Sequence, residues 1–569
     1  MTIFTRLREE PSVAYFSMEI AVDPDVPTYS GGLGVLAGDL VRSAADLGVP
    51  LVAITQLSRA GYFRQQLGAD GTQQEQPVSW TPEERLERLP FTVEVQLWGR
   101  PVAVQPWRFD VVGARGHVVP VLMLDTDVAS NAPADRAVTA ALYGGDRELR
   151  LAQEIVLGVG GARVLHALGL APAKFHLNEG HAAFAALELL RRSGAPTFED
   201  RLQDVRSRCV FTTHTPVAAG HDRFPYPLAE SALGPLVEPH ELRQLAGADD
   251  LNMTELGLRT AGYANAVAAR HGEVARGMFP GHTIAHVTNG VHPATWTSPS
   301  LRALYDEHLP GWSLEPSLLA RAEHLPGRLV WEAHQAAKRD LIAAVESATG
   351  TQLREDVLTL GYARRATAYK RPGLLFSDLE RLRRACHGAP LQIVFAGKAH
   401  PRDHEGKELI RAFFEHTRKL GDAVRCAYLP NYEMRTAAKL VAGVDVWLNT
   451  PEPPLEASGT SGMKAAFNGV PHFSVLDGWW VEGHAEGVTG WAIGPAPRAV
   501  TDDAERRRQE LDDLYGKLEH VILPLYYDSA DGWVSTMRSC VAGLAPFFNS
   551  HRMLRSYVTD AYFHTGTRS

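Results

Sequence analysis

The fold is indicated by three runs of sequence, QIVFA at residues 392–396, VRCAYL at 424–429 and VDVWLN at 444–449. Short runs rich in β-branched and aliphatic residues predict buried strands, and the helical pattern at 431–441 predicts a helix before the third run. Parallel strands need crossover connections, so strands that alternate with helices indicate a parallel sheet covered on both faces. This stretch therefore predicts an α/β fold.

The same alternation continues through the rest of the chain. Further strand-like runs lie at residues 50–54, 117–124, 209–213, 283–288, 357–362 and 472–476, and further helical patterns lie at 151–168, 181–192 and 331–348. Strand signals are missing from residues 297–327, a segment that contains four prolines, which predicts a domain boundary after Trp296. We therefore predict two doubly wound Rossmann-like domains that face a cleft, at residues 1–296 and 297–542. A helical segment at 543–569 is expected to pack back on the first domain.

Length and composition are those of a multidomain globular protein. The chain has 569 residues, of which 45% are hydrophobic and 22% are charged. The net charge of −9 argues against nucleic-acid binding, because nucleic-acid-binding proteins present basic surfaces to phosphates. The four cysteines lack the spacing of a disulfide framework or a zinc site, so no metal is predicted. No apolar stretch approaches the length of about 18 residues that a membrane span needs, and we predict a cytoplasmic protein.

Polar or glycine-rich turns follow four of the predicted strands. They are THTP at residues 213–216, TNGV at 288–291, AGKAH at 396–400 and NTPEP at 449–453. Ligands of open α/β sheets bind at the carboxyl ends of the strands, so these turns are where chemistry is expected. With a negative net charge, any phosphate site must depend on a few convergent lysines and arginines.

The first candidate motif is Ser30-Gly31-Gly32-Leu33-Gly34, which precedes a helical pattern. Glycines at a helix start let backbone N–H groups approach an anion. The alternative is a plain tight turn, because the motif is neither a Walker nor a dinucleotide fingerprint.

A basic cluster follows the predicted strand at 357–362 and comprises Arg364, Arg365, Lys370 and Arg371. At the carboxyl end of a strand these side chains could bind phosphate, with an arginine fork giving bidentate contacts. The alternative is a solvated basic surface.

The most informative stretch is EASGTSGMK, from Glu456 to Lys464. Its small residues would let a flat ring lie against the backbone, and its hydroxyls and helix start could hold an anion. Lys464 could form a Schiff base with an aldehyde cofactor. The alternative is that Lys464 is an ordinary surface lysine in a glycine- and serine-rich turn.

Two histidine motifs are candidates for the functional site. His176, Glu179 and His181 occur in FHLNEGH, a spacing that differs from the HExxH pattern of zinc proteases. Histidines satisfied in the core, or groups that bind sugar, are therefore favoured over a metal site. His214 follows a predicted strand and is either a buried core histidine or a functional one.

Together these motifs resemble, in chain order from about Tyr15 to His484, the glycogen and α-glucan phosphorylases, and more closely the short bacterial and archaeal type. The resemblance is carried by YFSME at 15–19, SGGLG at 30–34, NEGH at 178–181, HTP at 214–216, TNGV at 288–291 with Trp296, RR at 364–365 with YKR at 369–371, and the Glu456 to Lys464 stretch followed by LDG at 476–478.

The resemblance implies specific roles for residues of this sequence. Lys464 would hold pyridoxal 5'-phosphate, and the cofactor would also contact Trp296, Glu456, Gly459, Thr460 and Gly32. The substrate phosphate would contact Arg365 and Lys370, and the catalytic set would be Lys464, Arg365, Lys370 and His214. The substrate site would be formed by the backbone of Gly31, Gly32 and Leu33 together with Asn289, His214, Glu179 and His181.

The implied activity is phosphorolysis of the terminal α-1,4-linked glucose of glycogen or maltodextrin by orthophosphate. The product would be glucose 1-phosphate with retained configuration, in the two-domain GT-B glycosyltransferase architecture, and a homodimer is expected by analogy. This sequence departs from the animal-type pattern at Glu433, where those enzymes have an arginine, and at Ser461-Gly462, which replaces Gly-Asn.

Two other functions remain compatible with the fold. The first is a nucleotide-sugar-dependent glucosyltransferase such as a glycogen or starch synthase, which would use a similar Arg/Lys pair but would have no need of Lys464. The second is a catalytically inactive protein of this fold that binds glucan.

Overall fold

The computed structural model describes residues 13–143, 145–500 and 502–563, and within these ranges the chain forms two compact units. The first unit comprises the described parts of Met1–Phe63, Pro77–Thr288 and Met553–Ser569. The second comprises Arg64–Gln76 and the described part of Asn289–Arg552.

A ten-stranded sheet forms the first unit. Its seven parallel strands lie in the order Ala285–His286, Tyr263–Ala266, Cys209–Thr212, Lys174–Asn178, Val13–Ser17, Leu51–Gln56 and Val118–Asp125. Three antiparallel strands extend the far edge: Arg100–Val112, Glu87–Arg88 and Val93–Leu97. Numbered along the chain and read from the Val118–Asp125 edge, the parallel strands follow the order 3-2-1-4-5-6-7. The first six positions are the doubly wound Rossmann order.

Both faces of this sheet are buried, as the nearly continuous hydrophobic runs predicted. In the strand Val13–Ser17, Val13 and Tyr15 belong to one hydrophobic cluster and Ala14 and Phe16 to another, because alternate side chains point to opposite faces. The helices of the unit are Gly32–Leu47, Pro133–Arg136, Arg147–Ile155, Gly161–Ala167, Phe184–Arg192, Phe198–Arg208, Tyr226–Leu233, Pro239–Ala246, Met253–Thr260 and Ala269–Met278, with a π-helical turn at Val156–Gly160 and a small ribbon of Arg223–Pro225 and Asp250–Asn252.

The second unit contains a six-stranded parallel sheet. Its strands lie in the order Arg425–Leu429, Leu391–Ala396, Leu358–Ala363, Val446–Asn449, His472–Val475 and Gly490–Ile493, which is again 3-2-1-4-5-6 along the chain. The longer helices are Pro299–His308, Gly327–Thr349, Leu379–Ala385, His404–Leu420, Met434–Gly443, Asp503–Lys517 and Ala530–Leu544, and shorter ones include Pro293–Trp296, Ser461–Ala466, Trp480–Gly483 and Leu523–Asp528. The helix Ser550–Tyr557 runs from this unit into the first.

The α/β class and the doubly wound parallel sheets predicted from the sequence are confirmed. The compact units divide after Thr288, whereas the sequence placed a domain boundary after Trp296, and the chain returns to the first unit at Met553 rather than at residue 543. No sequence pattern indicated that Arg64–Gln76 belongs to the second unit. The domain ranges 1–296, 297–542 and 543–569 therefore stay predictions. In the described ranges, no helix has both the length and the apolar character that crossing a membrane requires.

Candidate active site

The switch point of the second sheet lies between the strands Leu358–Ala363 and Val446–Asn449. Crossovers leave such a pair of strands in opposite directions, which opens a crevice at their carboxyl ends. The loop after the first strand carries Arg364 and Lys370, and the loop after the second carries Glu456. Glu456 Oε2 lies 2.5 Å from Arg364 Nη2 and 2.5 Å from Lys370 Nζ. The fold therefore brings two members of the predicted basic cluster, Arg364 and Lys370, to one carboxylate, whereas Arg371 pairs with Glu510.

Glu456 is ionised in spite of its burial. Burial raises the pKa of this carboxyl group, but Arg364 and Lys370 more than offset the effect and hold the pKa below its usual value. Asp477 Oδ2 also accepts a hydrogen bond of 2.8 Å from the Glu456 backbone N–H and fixes the loop. Two cations facing one carboxylate leave an excess of positive charge that can neutralise part of a bound anion.

Lys464 lies on the short helix Ser461–Ala466 and is only 6% exposed, which excludes the alternative of a surface lysine. Its Nζ is 3.9 Å from the centre of the Trp296 indole ring. Asn468 links the two residues, because its Nδ2 donates hydrogen bonds to the backbone oxygens of Trp296 (2.7 Å) and Lys464 (3.0 Å). The structure therefore brings together Lys464 and Trp296, which lie far apart in the sequence.

Several buried polar atoms on the strands Val446–Asn449 and His472–Val475, and on the loop that carries Glu456, lack a hydrogen-bond partner within the described residues. They include Asn449 Oδ1, Ser458 Oγ and His472 Nδ1. Gly459 adopts a φ of +83°, and a Cβ atom there would lie 3.3 Å from the Glu456 carboxyl carbon, so the loop needs glycine. Unpaired buried polar atoms cost free energy unless a ligand supplies partners. Together with the amine and the indole face, they fit a planar aromatic aldehyde that carries polar substituents.

The structure distinguishes the two adjacent arginines of the basic cluster. The Arg364 side chain is 8% exposed and pairs with Glu456, whereas Arg365, the residue favoured by the resemblance, is exposed. The sequence indicated a basic run at this point. It could not indicate which neighbour turns inward, because that depends on the path of the loop after the strand.

A hairpin from the first hundred residues supports this loop. Its strands are Arg64–Leu67 and Gln73–Gln76. Gln73 Nε2 donates to the backbone oxygen of Ala399 (2.9 Å), and its Oε1 accepts from the Ala399 N–H (3.0 Å). The neighbouring Lys398 backbone oxygen accepts a hydrogen bond of 3.0 Å from Ala366. The hairpin therefore fixes the turn on which the loop carrying Arg364 rests.

The switch point of the first sheet lies between Val13–Ser17 and Lys174–Asn178. Just after the first of these strands, Glu19 Oε2 accepts hydrogen bonds from the backbone N–H groups of Ser30 (2.6 Å) and Gly31 (3.1 Å). Glu19 Oε1 accepts a hydrogen bond of 2.9 Å from the Tyr143 hydroxyl. The carboxylate therefore holds the glycine-rich loop in place.

The glycine-rich loop is the start of the helix Gly32–Leu47 rather than a plain tight turn. Gly31 precedes the helix without a side-chain cap, so the first backbone N–H groups and the helix dipole can interact with an anion. Gly34 is required by packing, because a Cβ atom there would lie 2.8 Å from Glu19 Oε2 and 2.7 Å from Tyr29 Cβ. Gly31, Gly32 and Leu33 lie together at this helix start, and their role in binding an anion stays a prediction.

On the neighbouring strand, Glu179 organises the His214 turn. Its Oε2 accepts hydrogen bonds from the His214 backbone N–H (2.7 Å) and the Thr215 hydroxyl (3.0 Å). His214 Nε2 lies 2.6 Å from Asn178 Oδ1, while the Asn178 amide nitrogen donates to Ser17 Oγ. Because an amide oxygen only accepts, His214 Nε2 carries the proton and Nδ1 is an acceptor. Burial lowers the pKa of His214 to about 3, so the ring is neutral.

The ring of His181 belongs to a buried polar network. His181 Nε2 lies 3.4 Å from Asp222 Oδ2, and Asp222 is paired with Arg150 Nη2 at 2.9 Å. Arg150 Nε also lies 3.0 Å from Glu154 Oε1. Burial lowers the pKa of His181 to about 3, so this ring is neutral as well. His176, in contrast, is a core histidine whose nitrogens contact the hydroxyls of Tyr562 and Thr212, each at 2.8 Å.

Asn289 belongs to the second unit and follows the end of the predicted strand at 283–288. It is 2% exposed, and its Oδ1 makes no hydrogen bond within the part of the chain that the structure describes. Its backbone oxygen accepts a hydrogen bond of 3.1 Å from Arg552 Nη2, which fixes the turn. A buried amide oxygen without a partner is suited to accept a hydrogen bond from a ligand hydroxyl.

A family model described as Carbohydrate phosphorylase matches residues 240–489. The chain is 39% identical to a maltodextrin phosphorylase of Thermococcus litoralis, over 97% of this chain and 70% of that protein. This chain belongs to the carbohydrate phosphorylase family. It is also 38% identical to a glycogen phosphorylase of Mycobacterium tuberculosis (97% of this chain, 70% of that protein) and 35% identical to one of Aquifex aeolicus (97% and 86%). The resemblance drawn from the motifs is confirmed.

Membership of the phosphorylase family makes this chain an enzyme of the glycosyltransferase type. The alternative of a nucleotide-sugar-dependent synthase is not favoured, because the relatives reported above are phosphorylases. The resemblance assigned no role to Glu19 or Arg364, which hold the loops at the two switch points, although Arg364 belonged to the predicted basic cluster. The signal available for Glu19 was an acidic residue shortly after the strand Val13–Ser17. The signal available for Arg364 was its position at the end of the strand Leu358–Ala363.

Proposed function

We propose that this protein is a pyridoxal-phosphate-dependent α-1,4-glucan phosphorylase that acts on glycogen or maltodextrin. The observation that carries the proposal is the buried Lys464 amine, 3.9 Å from the Trp296 indole, at the switch point of a Rossmann-type sheet. The named relatives, a maltodextrin phosphorylase and glycogen phosphorylases, support the choice of substrate class.

The cofactor would be held by residues of the second unit. Lys464 would bind its aldehyde carbon, Trp296 would lie at the cofactor site, and Glu456, Gly459 and Thr460 would line the loop. Gly32 of the first unit stays a predicted contact. Pyridoxal phosphate, when bound, supplies a phosphate group that can exchange a proton with the substrate phosphate.

The basic cluster would bind orthophosphate. Lys370 and Arg365 would contact the substrate phosphate directly, and Arg364 would add charge from its place beside Glu456. Two neighbouring phosphates repel each other strongly where water is excluded, so the cations are needed to hold them together. Because Glu456 stays ionised, it keeps Arg364 and Lys370 oriented without cancelling their combined charge.

The first unit would contribute backbone donors and sugar contacts. The N–H groups of Gly32 and Leu33 would stabilise negative charge at the helix start, while the Gly31 N–H donates to Glu19 and Gly31 stays a predicted contact. His214, with Nδ1 as acceptor, would bind a glucose hydroxyl, and Glu179 would hold the turn in place. His181 and, from the second unit, Asn289 are proposed to bind further sugar hydroxyls, because a neutral imidazole and an unpaired amide oxygen suit neutral polyols.

The cofactor assignment is tested by trapping. The protein is produced with added pyridoxal, treated with borohydride during unfolding and digested for peptide mass spectrometry. We expect a pyridoxyl-phosphate adduct on Lys464 and none on Lys439, an exposed lysine of the same unit. An unmodified Lys464 in well-folded protein would contradict the proposal, and nucleotide-sugar donors would then be assayed with glucan acceptors.

Replacing Glu19 by glutamine is expected to lower kcat/KM for orthophosphate by on the order of tenfold, because two charge-assisted hydrogen bonds to the glycine-rich loop become neutral ones. Initial rates of glucose 1-phosphate formation at varied phosphate measure the change. The control is Glu83→Gln, which alters an exposed carboxylate of the same unit. Unchanged phosphate kinetics in the Glu19 variant would show that the loop does not depend on this carboxylate.

The acid side of the pH profile is expected to be independent of His214. Burial holds its pKa near 3, so the imidazole stays neutral across about pH 5 to 8. We compare normalised kcat/KM profiles of the wild type and His214→Asn, a variant of much lower activity, and expect the same acid limb in both. If the acid limb of the variant's profile were shifted relative to that of the wild type, His214 would titrate in the working pH range. The assignment of a neutral ring would then be wrong.

Acid is expected to destabilise the protein through its buried neutral histidines. An unfolded histidine takes up its proton near pH 6.5, about three units above the folded value for His214, so the native state loses stability as pH falls through that interval.

The cytoplasmic location and the homodimer stay predictions. Size-exclusion chromatography with light scattering tests the homodimer.

A further inference from the structure

A second concave site lies in the first unit, and none of its lining residues belongs to the predicted catalytic site. The cavity has a volume of about 480 Å³, which is in the range of small-molecule pockets. Three arginines contribute to its wall, namely Arg163 from the helix Gly161–Ala167 and Arg191 and Arg192 from the helix Phe184–Arg192.

All three arginines converge on one buried carboxylate. Glu188 is 0% exposed, and its Oε1 accepts hydrogen bonds from Arg191 Nη2 (2.6 Å) and Arg192 Nε (2.7 Å). Its Oε2 accepts from Arg191 Nε (3.0 Å) and Arg163 Nη2 (3.1 Å). Burial raises the pKa of Glu188, but the hydrogen bonds from Arg191 and Arg163 more than offset it and lower the pKa. Glu188 is therefore ionised and fixes the three guanidinium groups.

The cluster has more positive charge and more donors than Glu188 can use. Three guanidinium groups and one carboxylate give the cluster a net charge of +2. Within the described residues, Arg191 Nη1 and both terminal nitrogens of Arg192 make no hydrogen bond. The Arg191 and Arg192 side chains are 42% and 31% exposed, so these donors can reach a ligand. An arginine fork matches the oxygens of a phosphate group, and a charge of +2 matches a phosphate dianion.

Leu233, Pro235 and Leu236 also line the cavity and form its apolar wall. Arginine donors and an apolar wall in one cavity are complementary to an anion that carries an apolar group. We propose that this cavity binds a small organic phosphate monoester, whose dianion contacts Arg191 and Arg192 and whose apolar group contacts the apolar wall.

The proposal is tested by isothermal titration calorimetry of the holoenzyme with phenyl phosphate, with phenol and inorganic phosphate as reference probes. We expect phenyl phosphate to bind more tightly than inorganic phosphate, and phenol not to bind at the same concentrations. Arg192→Gln is expected to weaken phenyl phosphate binding by about tenfold through the loss of charge-assisted donors. Arg201→Gln, which removes an arginine paired with Glu241 in the same unit, is the matched control and is expected to bind normally.

A second variant keeps all three arginines and Glu188. Leu236→Glu places a carboxylate on the apolar wall and is expected to weaken phenyl phosphate binding at least as much as Arg192→Gln. Thermal melts of each variant confirm that it is folded. The proposal is overturned if wild-type protein does not bind phenyl phosphate at millimolar concentration. It is also overturned if both variants bind it like the wild type while Lys370→Gln does not, since the ligand would then occupy the proposed catalytic phosphate site.

Discussion

Replacing Lys464 by alanine is expected to lower the rate of phosphorolysis by on the order of 10³-fold or more, because the enzyme loses the amine that would hold its acid–base cofactor. The side chain is buried against Trp296, and its helix begins directly at the glycine- and serine-rich turn. The measurement is the initial rate of glucose 1-phosphate formation from maltodextrin and orthophosphate.

Two controls separate loss of the cofactor from loss of the fold. Lys439→Ala removes an exposed lysine of the same unit and is expected to keep wild-type activity. Lys464→Arg keeps a cation against the indole but cannot bind the aldehyde, and it is expected to be as inactive as the alanine variant while melting close to the wild type. Wild-type activity in Lys464→Ala would rule out the pyridoxal-dependent mechanism.

Replacing Glu456 by alanine is expected to lower both stability and activity. Arg364 and Lys370 each lie 2.5 Å from Glu456 Oε2, and removing the carboxylate leaves two cations at a buried site without their partner. Breaking a buried ion pair in this way costs about 3–5 kcal/mol. Denaturant unfolding measures the stability, and phosphate kinetics measure the displacement of Lys370, expected as a rise in KM for orthophosphate of at least about tenfold.

A double-mutant cycle shows whether the effect passes through Lys370. The variants are Glu456→Ala, Lys370→Met and the pair. We expect the pair to be less destabilised than the sum of the singles, because it lacks one of the two cations that Glu456→Ala leaves without a partner. Glu452→Ala, four residues earlier and exposed, is the matched control and is expected to leave both measurements unchanged. Additive effects would show that the two side chains act independently.

Local sequence patterns were sufficient for the fold class, and they indicated the residue types of the candidate site. Buried strands such as Leu358–Ala363 are nearly continuous hydrophobic runs because both faces of a parallel sheet are covered, and the turns that follow them carry the polar residues. The Glu456 to Lys464 stretch was identifiable because its small residues, hydroxyls and lysine are unusual together. These features depend on consecutive residues, so local composition and hydrophobic periodicity are sufficient to identify them.

The tertiary structure decided which side chains meet. Trp296 approaches Lys464, Glu19 holds Ser30 and Gly31, and Arg364 rather than Arg365 turns toward Glu456. The hairpin Arg64–Leu67 and Gln73–Gln76 joins the second unit although its sequence neighbours belong to the first. Contacts between distant residues depend on strand order and loop path, which a single sequence does not encode locally. The sequence by itself therefore determined the doubly wound α/β class and the residue types of the site, while packing and charge pairing in the folded chain determined their partners.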